Sequence, residues 1–120
     1  MDQPFDLATL AVRAGQIRSS LNENSEALFL TSSFVFGSAA EAAARFTGPQ
    51  DEAGFIYSRF SNPTVTMFQD RLAALEGAEG CIATASGMSA ILAMGLALLK
   101  AGDHVVCSNG VFGSTVTLFQ

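Results

Sequence analysis

The stretch CIATASGMSAILAMGLALLKAGDHVVCS, residues 81–108, decides the fold class. CIATA (81–85) and HVVCS (104–108) are apolar runs of strand length bounded by turn residues. Between them, MSAILAMGLALLK (88–100) is apolar almost all round, the pattern of a buried helix. Ser86-Gly87 and Ala101-Gly102-Asp103 supply the turns. Strand, helix and strand over 28 residues make a βαβ unit with parallel strands and a right-handed crossover. A parallel sheet buries both faces, so it needs more strands and helices than this unit holds. Residues 114–120, STVTLFQ, open a further helix with Ser114 as its cap. The chain therefore reads as the front of a larger α/β protein, the other reading being a complete small domain.

Upstream, TVTMFQDRLAALEGAEG (64–80) places Val65, Phe68, Leu72 and Leu75 on one helical face. Ser61 or Asn62 can cap that helix, Pro63 suits its first position, and Gly77 is its stop. Ser38 and Glu41 form a capping box for an Ala-rich helix running to Phe46. Asp6 can cap a first short helix to about Arg13, with Leu7, Leu10 and Ala11 on one face. Residues 15–33 hold no period, and 47–54 have the composition of a loop.

Composition narrows the function classes. The chain has 120 residues, enough for one small domain with a core, and 49% of them are apolar. Its net charge is −5, with no basic run, which excludes a nucleic-acid surface built on clustered cations. Cys81 and Cys107 lie in apolar runs and read as reduced thiols in core strands. MDQPFDL has no basic n-region and no long apolar segment, so it is not a signal peptide and the cytoplasm is the expected compartment. Gly80–Leu99 is free of charge over a spanning length. However, Thr84, Ser86, Gly87 and Ser89 interrupt it, and Ala90–Leu99 is too short to cross a membrane. His104 stands alone, so neither a metal site nor a Ser-His-Asp set is expected.

Three short motifs could carry chemistry. In ATASGMSAI (83–91) a strand ends and a helix begins at Ser86-Gly87-Met88. The first N–H groups of a helix lack intrahelical partners and sit at its positive end, and Gly87 lets a ligand approach the backbone. That is a cradle for one phosphate or carboxylate, or else a plain turn capped by Ser86. In YSRFSNPT (57–64), Tyr57 and Arg59 are two apart, which puts both on one side of an extended segment. They can bind an anionic oxygen together, or be a solvated arginine beside a half-buried tyrosine. VFGST (111–115) follows the second strand, where ligands of open α/β sheets collect. Phe112 there can stack on a flat ring or belong to the core. No G-x-x-x-x-G-K-[ST] or G-x-G-x-x-G motif supports a nucleotide.

Taken in order, TLAVRAGQ, EALFLTSSFVF, YSRFSNPTV, LEGAEG, ATASGMSAI and GDHVVCSNGVFGST resemble the pyridoxal-phosphate enzymes of cysteine and methionine metabolism. This is the cystathionine γ-synthase-like group of the fold-type I transferases, and the likeness leans to its sulfhydrylase branch. The resemblance runs from about residue 5 to the end. It implies an N-terminal helix and extended arm (1–62) touching a neighbouring subunit, then the beginning of the cofactor-binding large domain with its mostly parallel sheet (63–120). It implies that pyridoxal 5′-phosphate is the cofactor. Gly87 and Met88 would then give backbone N–H groups to its phosphate, with Ser86 close by. Tyr57 and Arg59 would bind phosphate in a neighbouring subunit's site, and Phe112 would stack on the pyridine ring. Many relatives have tyrosine at this last position, whose hydroxyl can assist proton transfer; Phe keeps the stacking face and loses that hydroxyl.

The implied activity is γ-replacement on O-succinylhomoserine or O-acetylhomoserine with sulfide, giving homocysteine, in a homo-oligomer. Cystathionine γ-synthase, γ-lyase and methionine γ-lyase activities are the alternatives. A non-catalytic phosphate-binding or dimerisation domain is the alternative of another class. The chemistry also needs a Schiff-base lysine. Lys100, the only lysine, falls roughly 18 Å along the helix from the cradle at ~1.5 Å per residue. It is therefore not that residue, and no catalytic residue is expected within these 120.

Overall fold

The structure, a computed structural model, describes residues 5–48 and 54–120. Among these are five helices: α1 (Leu7–Arg13), α2 (Ala39–Thr47), α3 (Pro63–Glu76), α4 (Gly87–Leu98) and α5 (Gly113–Leu118). Residues 49–53 of the expected loop lie outside the described part. The chain divides into two compact units, the first ending at Cys81 and the second beginning at Ile82.

In the first unit α1 packs against α3. Asp6 caps α1 by accepting from the Thr9 N–H at 2.8 Å. The chain then turns at Gly15, where φ is +69° and a Cβ would lie 2.7 Å from Asp70 Cβ and 2.8 Å from the Met67 carbonyl oxygen. Only a glycine lets the backbone rest this directly on α3. Arg71 fastens the contact, donating from Nε to the Ala14 carbonyl at 2.9 Å and pairing through its other end with Glu26. The buried apolar side chains among the described residues are Ile56, Met67 and Ala73. The face expected on α3 is thus offset. Phe68, Leu72 and Leu75 line an open groove with Met67, beside Glu26 and Arg71.

Both helix ends of α3 follow the sequence. Asn62 caps it through the Thr64 N–H at 2.9 Å, Pro63 takes the first turn, and Gly77 closes it at φ 64°. The Ala78 N–H returns to the Ala73 carbonyl at 2.9 Å. On α2 the Ser38 hydroxyl accepts from the Glu41 N–H at 3.1 Å. The Glu41 carboxylate accepts in turn from the Gly37 N–H at 2.7 Å and from Arg45 at 2.6 Å. Residues 32–34 are ordered by a partner distant in sequence, which is why no local period showed there. The Phe34 N–H donates to the Ile56 carbonyl at 3.1 Å, the Ser58 N–H donates to Ser32 at 2.8 Å, and Ser33 bridges Tyr57 antiparallel.

In the second unit α5 packs on α4 at Gly95, where a Cβ would meet the Phe119 ring at 3.1 Å. Three expectations are corrected here. Residues 81–85 and 104–108 are not strands, and the Ser33–Tyr57 bridge is the only one among the described residues. A parallel strand exists by its ladder, and these two segments do not form one with each other. The helix α4 is not buried: Leu92, Met94, Leu96 and Leu98 are all exposed, since α5 covers one side of a helix that is apolar on all sides. Ser114 is not the cap of α5, which starts one residue earlier behind Phe112 without a side-chain cap. No described helix is long and apolar enough to cross a membrane.

Two outcomes are expected. Gly15→Ala should destabilise the protein by about 1–2 kcal/mol or more, from the left-handed backbone alone. It should lower the denaturant midpoint at unchanged slope, and an unchanged midpoint would contradict the close approach to α3. Acid should loosen α2. The Gly37 N–H, then Arg45, hold the Glu41 carboxyl below its ordinary value of 4.5. A depressed folded value means that its contribution is complete above pH 4.5 and is lost as pH falls through the folded value. Helicity followed by circular dichroism should drop in that window, and Glu41→Gln should remove part of the drop.

Candidate functional site

The first candidate element is the turn at residues 57–60. The sequence suggested an extended segment with Tyr57 and Arg59 side by side. The chain instead folds back here, with the Phe60 and Ser61 N–H groups donating to the Tyr57 carbonyl at 2.9 and 3.2 Å. The turn still brings the pair together. The Arg59 guanidinium sits 5.6 Å from the Tyr57 ring and 5.3 Å from the Phe60 ring, and these two rings meet edge-on at 6.5 Å. Ring faces favour a cation and hold it without using its N–H donors.

Those donors set Arg59 apart. Arg13 and Arg18 bond within the loop after α1, Arg45 holds Glu41 and the Phe55 carbonyl, and Arg71 holds Ala14 and Glu26. Among the described residues, only Arg59 of the five arginines makes neither a hydrogen bond nor an ion pair. Its whole donor fork is available to an anion. It stands at the edge of an aromatic cup lined by Phe34, Phe36, Phe46 and Phe60 with Tyr57.

The second element lies in the other unit. Ser86 is the N-cap of α4, and its hydroxyl accepts from the Ser89 N–H at 3.2 Å and lies 2.9 Å from the Ser89 hydroxyl. The Thr84 hydroxyl donates to the Ser86 carbonyl at 2.8 Å and steadies the entry. Cap and first turn leave the Gly87 and Met88 N–H groups outside the intrahelical ladder, at the positive end of a twelve-residue helix. A Cβ on Gly87 would meet nothing within 4 Å. The fold therefore does not need a glycine there, and the space above its backbone is open.

Phe112 stands beside this turn through α5. The Thr115 N–H donates to the Phe112 carbonyl at 2.8 Å, and the buried Thr115 hydroxyl donates to Met88 Sδ at 3.8 Å. Phe112 itself is 71% exposed, so it is not a core residue of this unit. Lys100 lies beyond the far end of α4, its N–H bonded to Asp103 at 2.8 Å. No group of three or more His, Cys, Asp or Glu side chains among the described residues could hold a metal ion. The sequence reading passed over Thr115, Gly95 and the Ser58–Asn62 pair. Thr115 and Gly95 act through partners more than twenty residues away, and the Ser58–Asn62 pair, itself only four residues apart, gains its role from Thr31 and Phe29 far upstream.

Residues 8–120 match the family described as Cys/Met metabolism PLP-dependent enzyme. The chain belongs to this family. It is 61% identical over 112 residues to an O-succinylhomoserine sulfhydrylase of Pseudomonas aeruginosa, covering 93% of the chain and 27% of that protein. An L-methionine gamma-lyase of Fusobacterium nucleatum is 40% identical over 114 residues, covering 95% of the chain and 28% of the enzyme. In three dimensions the chain is similar to a Campylobacter jejuni protein assigned as an O-acetylhomoserine (thiol)-lyase, with TM-score 0.83 and 37% identity over 95% of this chain and 28% of that one. That structure carries N'-pyridoxyl-lysine-5'-monophosphate. The chain thus spans about a quarter of the length of the relatives it matches. Members of this family are pyridoxal-phosphate-dependent enzymes.

Proposed function

We propose that the protein containing this chain replaces the γ-substituent of O-succinylhomoserine with sulfide, giving homocysteine, and that this chain supplies much of its cofactor-phosphate site. The 61% identity to an O-succinylhomoserine sulfhydrylase carries the choice of reaction. The likeness to an L-methionine gamma-lyase at 40% is the ground for the second reading, elimination from methionine. Phe112 favours the succinyl ester over methionine as substrate, because succinate departs as a carboxylate without a proton donor, whereas a thiolate is a poorer leaving group that gains from one.

The residues present fit the cofactor. The Gly87 and Met88 N–H groups and the Ser86 hydroxyl would hold its phosphate, with open space above Gly87 for the approach. Tyr57 and Arg59 would add donors to the phosphate held by a neighbouring copy, which makes a homo-oligomer part of the proposal. Phe112 would lie against the pyridine ring. Bound pyridoxal phosphate supplies the electron sink for chemistry at the amino-acid carbons. This chain's part is to anchor and orient it, while the Schiff-base lysine comes from elsewhere in the protein. Fold-type I architecture with a mostly parallel sheet, the 1–62 and 63–120 division of roles, and a cytoplasmic location complete the proposal.

Two measurements test it. The whole protein with O-succinylhomoserine and sulfide should form homocysteine. Breakdown of methionine without uptake of sulfide would move the assignment to the lyase reading. Gly87→Ala should leave the fold of the cofactor-free protein in place, since a Cβ there meets no atom of this chain within 4 Å. It should weaken pyridoxal-phosphate binding roughly tenfold or more, the worth of one charge-assisted bond. Unchanged affinity would remove the phosphate from the turn at Ser86–Met88.

A further inference from the structure

We infer that Asn62 and Ser58 form a positioning pair that sets the aim of the Tyr57–Arg59 turn. This deepens the proposed phosphate role of Tyr57 and Arg59 and rests on it. Ser58 lies between the two, so whatever fixes Ser58 fixes both neighbours. Its N–H donates to the Ser32 carbonyl at 2.8 Å. Its hydroxyl donates to the Thr31 carbonyl and accepts from Asn62 Nδ2 at 2.9 Å. The second proton of Asn62 Nδ2 goes to the Phe29 carbonyl at 3.0 Å, while Oδ1 caps α3 at Thr64. Thr64 adds a parallel tie, its hydroxyl accepting from the Phe29 N–H at 2.9 Å. Asn62 is only 6% exposed, so its amide works in a dry setting where each bond is directional and costly to lose.

One buried amide therefore joins three things: the arm at 29–32, the start of α3, and the turn that carries the uncommitted guanidinium. The long Arg59 side chain adds nothing to its own placement beyond two ring contacts. Its aim is inherited from the backbone of 57–60, and that backbone is held by Ser58. The pair touches neither cofactor nor substrate in this account. It acts through Tyr57 and Arg59.

The test is cofactor affinity of the full-length holoenzyme, measured by pyridoxal-phosphate titration of Ser58→Ala, Asn62→Asp, Arg59→Ala and the two doubles with Arg59→Ala. Asn62→Asp keeps an N-cap oxygen for α3 and removes both amide donors. Ser58→Ala removes the link alone and guards against a failure of the first variant to fold. Each single change should weaken binding about fivefold or more, as loss of an outer support does. In the Arg59→Ala background both should cost clearly less than they do alone, the remainder acting through Tyr57, a coupling that a merely structural role would not produce. Additive losses, or full affinity in Ser58→Ala and Asn62→Asp beside a weakened Arg59→Ala, would overturn the pair's role and leave the clamp standing. Full affinity in Arg59→Ala would overturn the clamp itself.

Discussion

The first unit depends on a buried amide that has every polar atom satisfied. Asn62 is at once the N-cap of α3 and the donor to the turn just before it and to the arm at Phe29. Those segments have few other reasons to be where they are. The arm before α2 has no helical or strand period, and Leu30 and Val35 on it are almost fully exposed. Its order comes from backbone groups that must find partners, and residues 56–64 offer them. The Gly15–Arg71–Glu26 contact does the same for α1 at the middle of α3.

The electrostatics follow from scarcity. A chain of net charge −5 with six cations cannot collect an anion by its overall field. It can do so with local donors. Four of its arginines are spent on its own backbone and carboxylates, and the fifth is held by ring faces that leave its fork open. The start of α4 offers the other kind of donor, backbone N–H groups aligned with a helix dipole and capped by a serine. In the proposed reading a phosphate takes donors of both kinds.

Much of this was legible in the sequence. Caps were, because Asp6, Ser38, Asn62 and Gly77 are chosen by bonds within four residues. The serine-glycine turn before α4 was legible for the same reason. What failed were statements that need a distant partner. CIATA and HVVCS have strand composition, yet a strand is made by its neighbours, and the two do not supply each other. The helix MSAILAMGLALLK has core composition, yet burial needs cover, and α5 reaches it on one side. The turn at 57–60 was missed because alternation presumes an extended backbone. The roles of Ser58 and Gly15 were missed because each is set from more than twenty residues away.

The most direct test of the account is a crystal structure of the whole protein with pyridoxal phosphate bound. The account predicts the Gly87 and Met88 N–H groups at about 3 Å from phosphate oxygens. It also predicts the Arg59 guanidinium of a neighbouring copy on the same phosphate, with the Ser58–Asn62 bond intact behind it. A phosphate bound away from the first turn of α4, or an Arg59 that faces solvent in every copy, would contradict it.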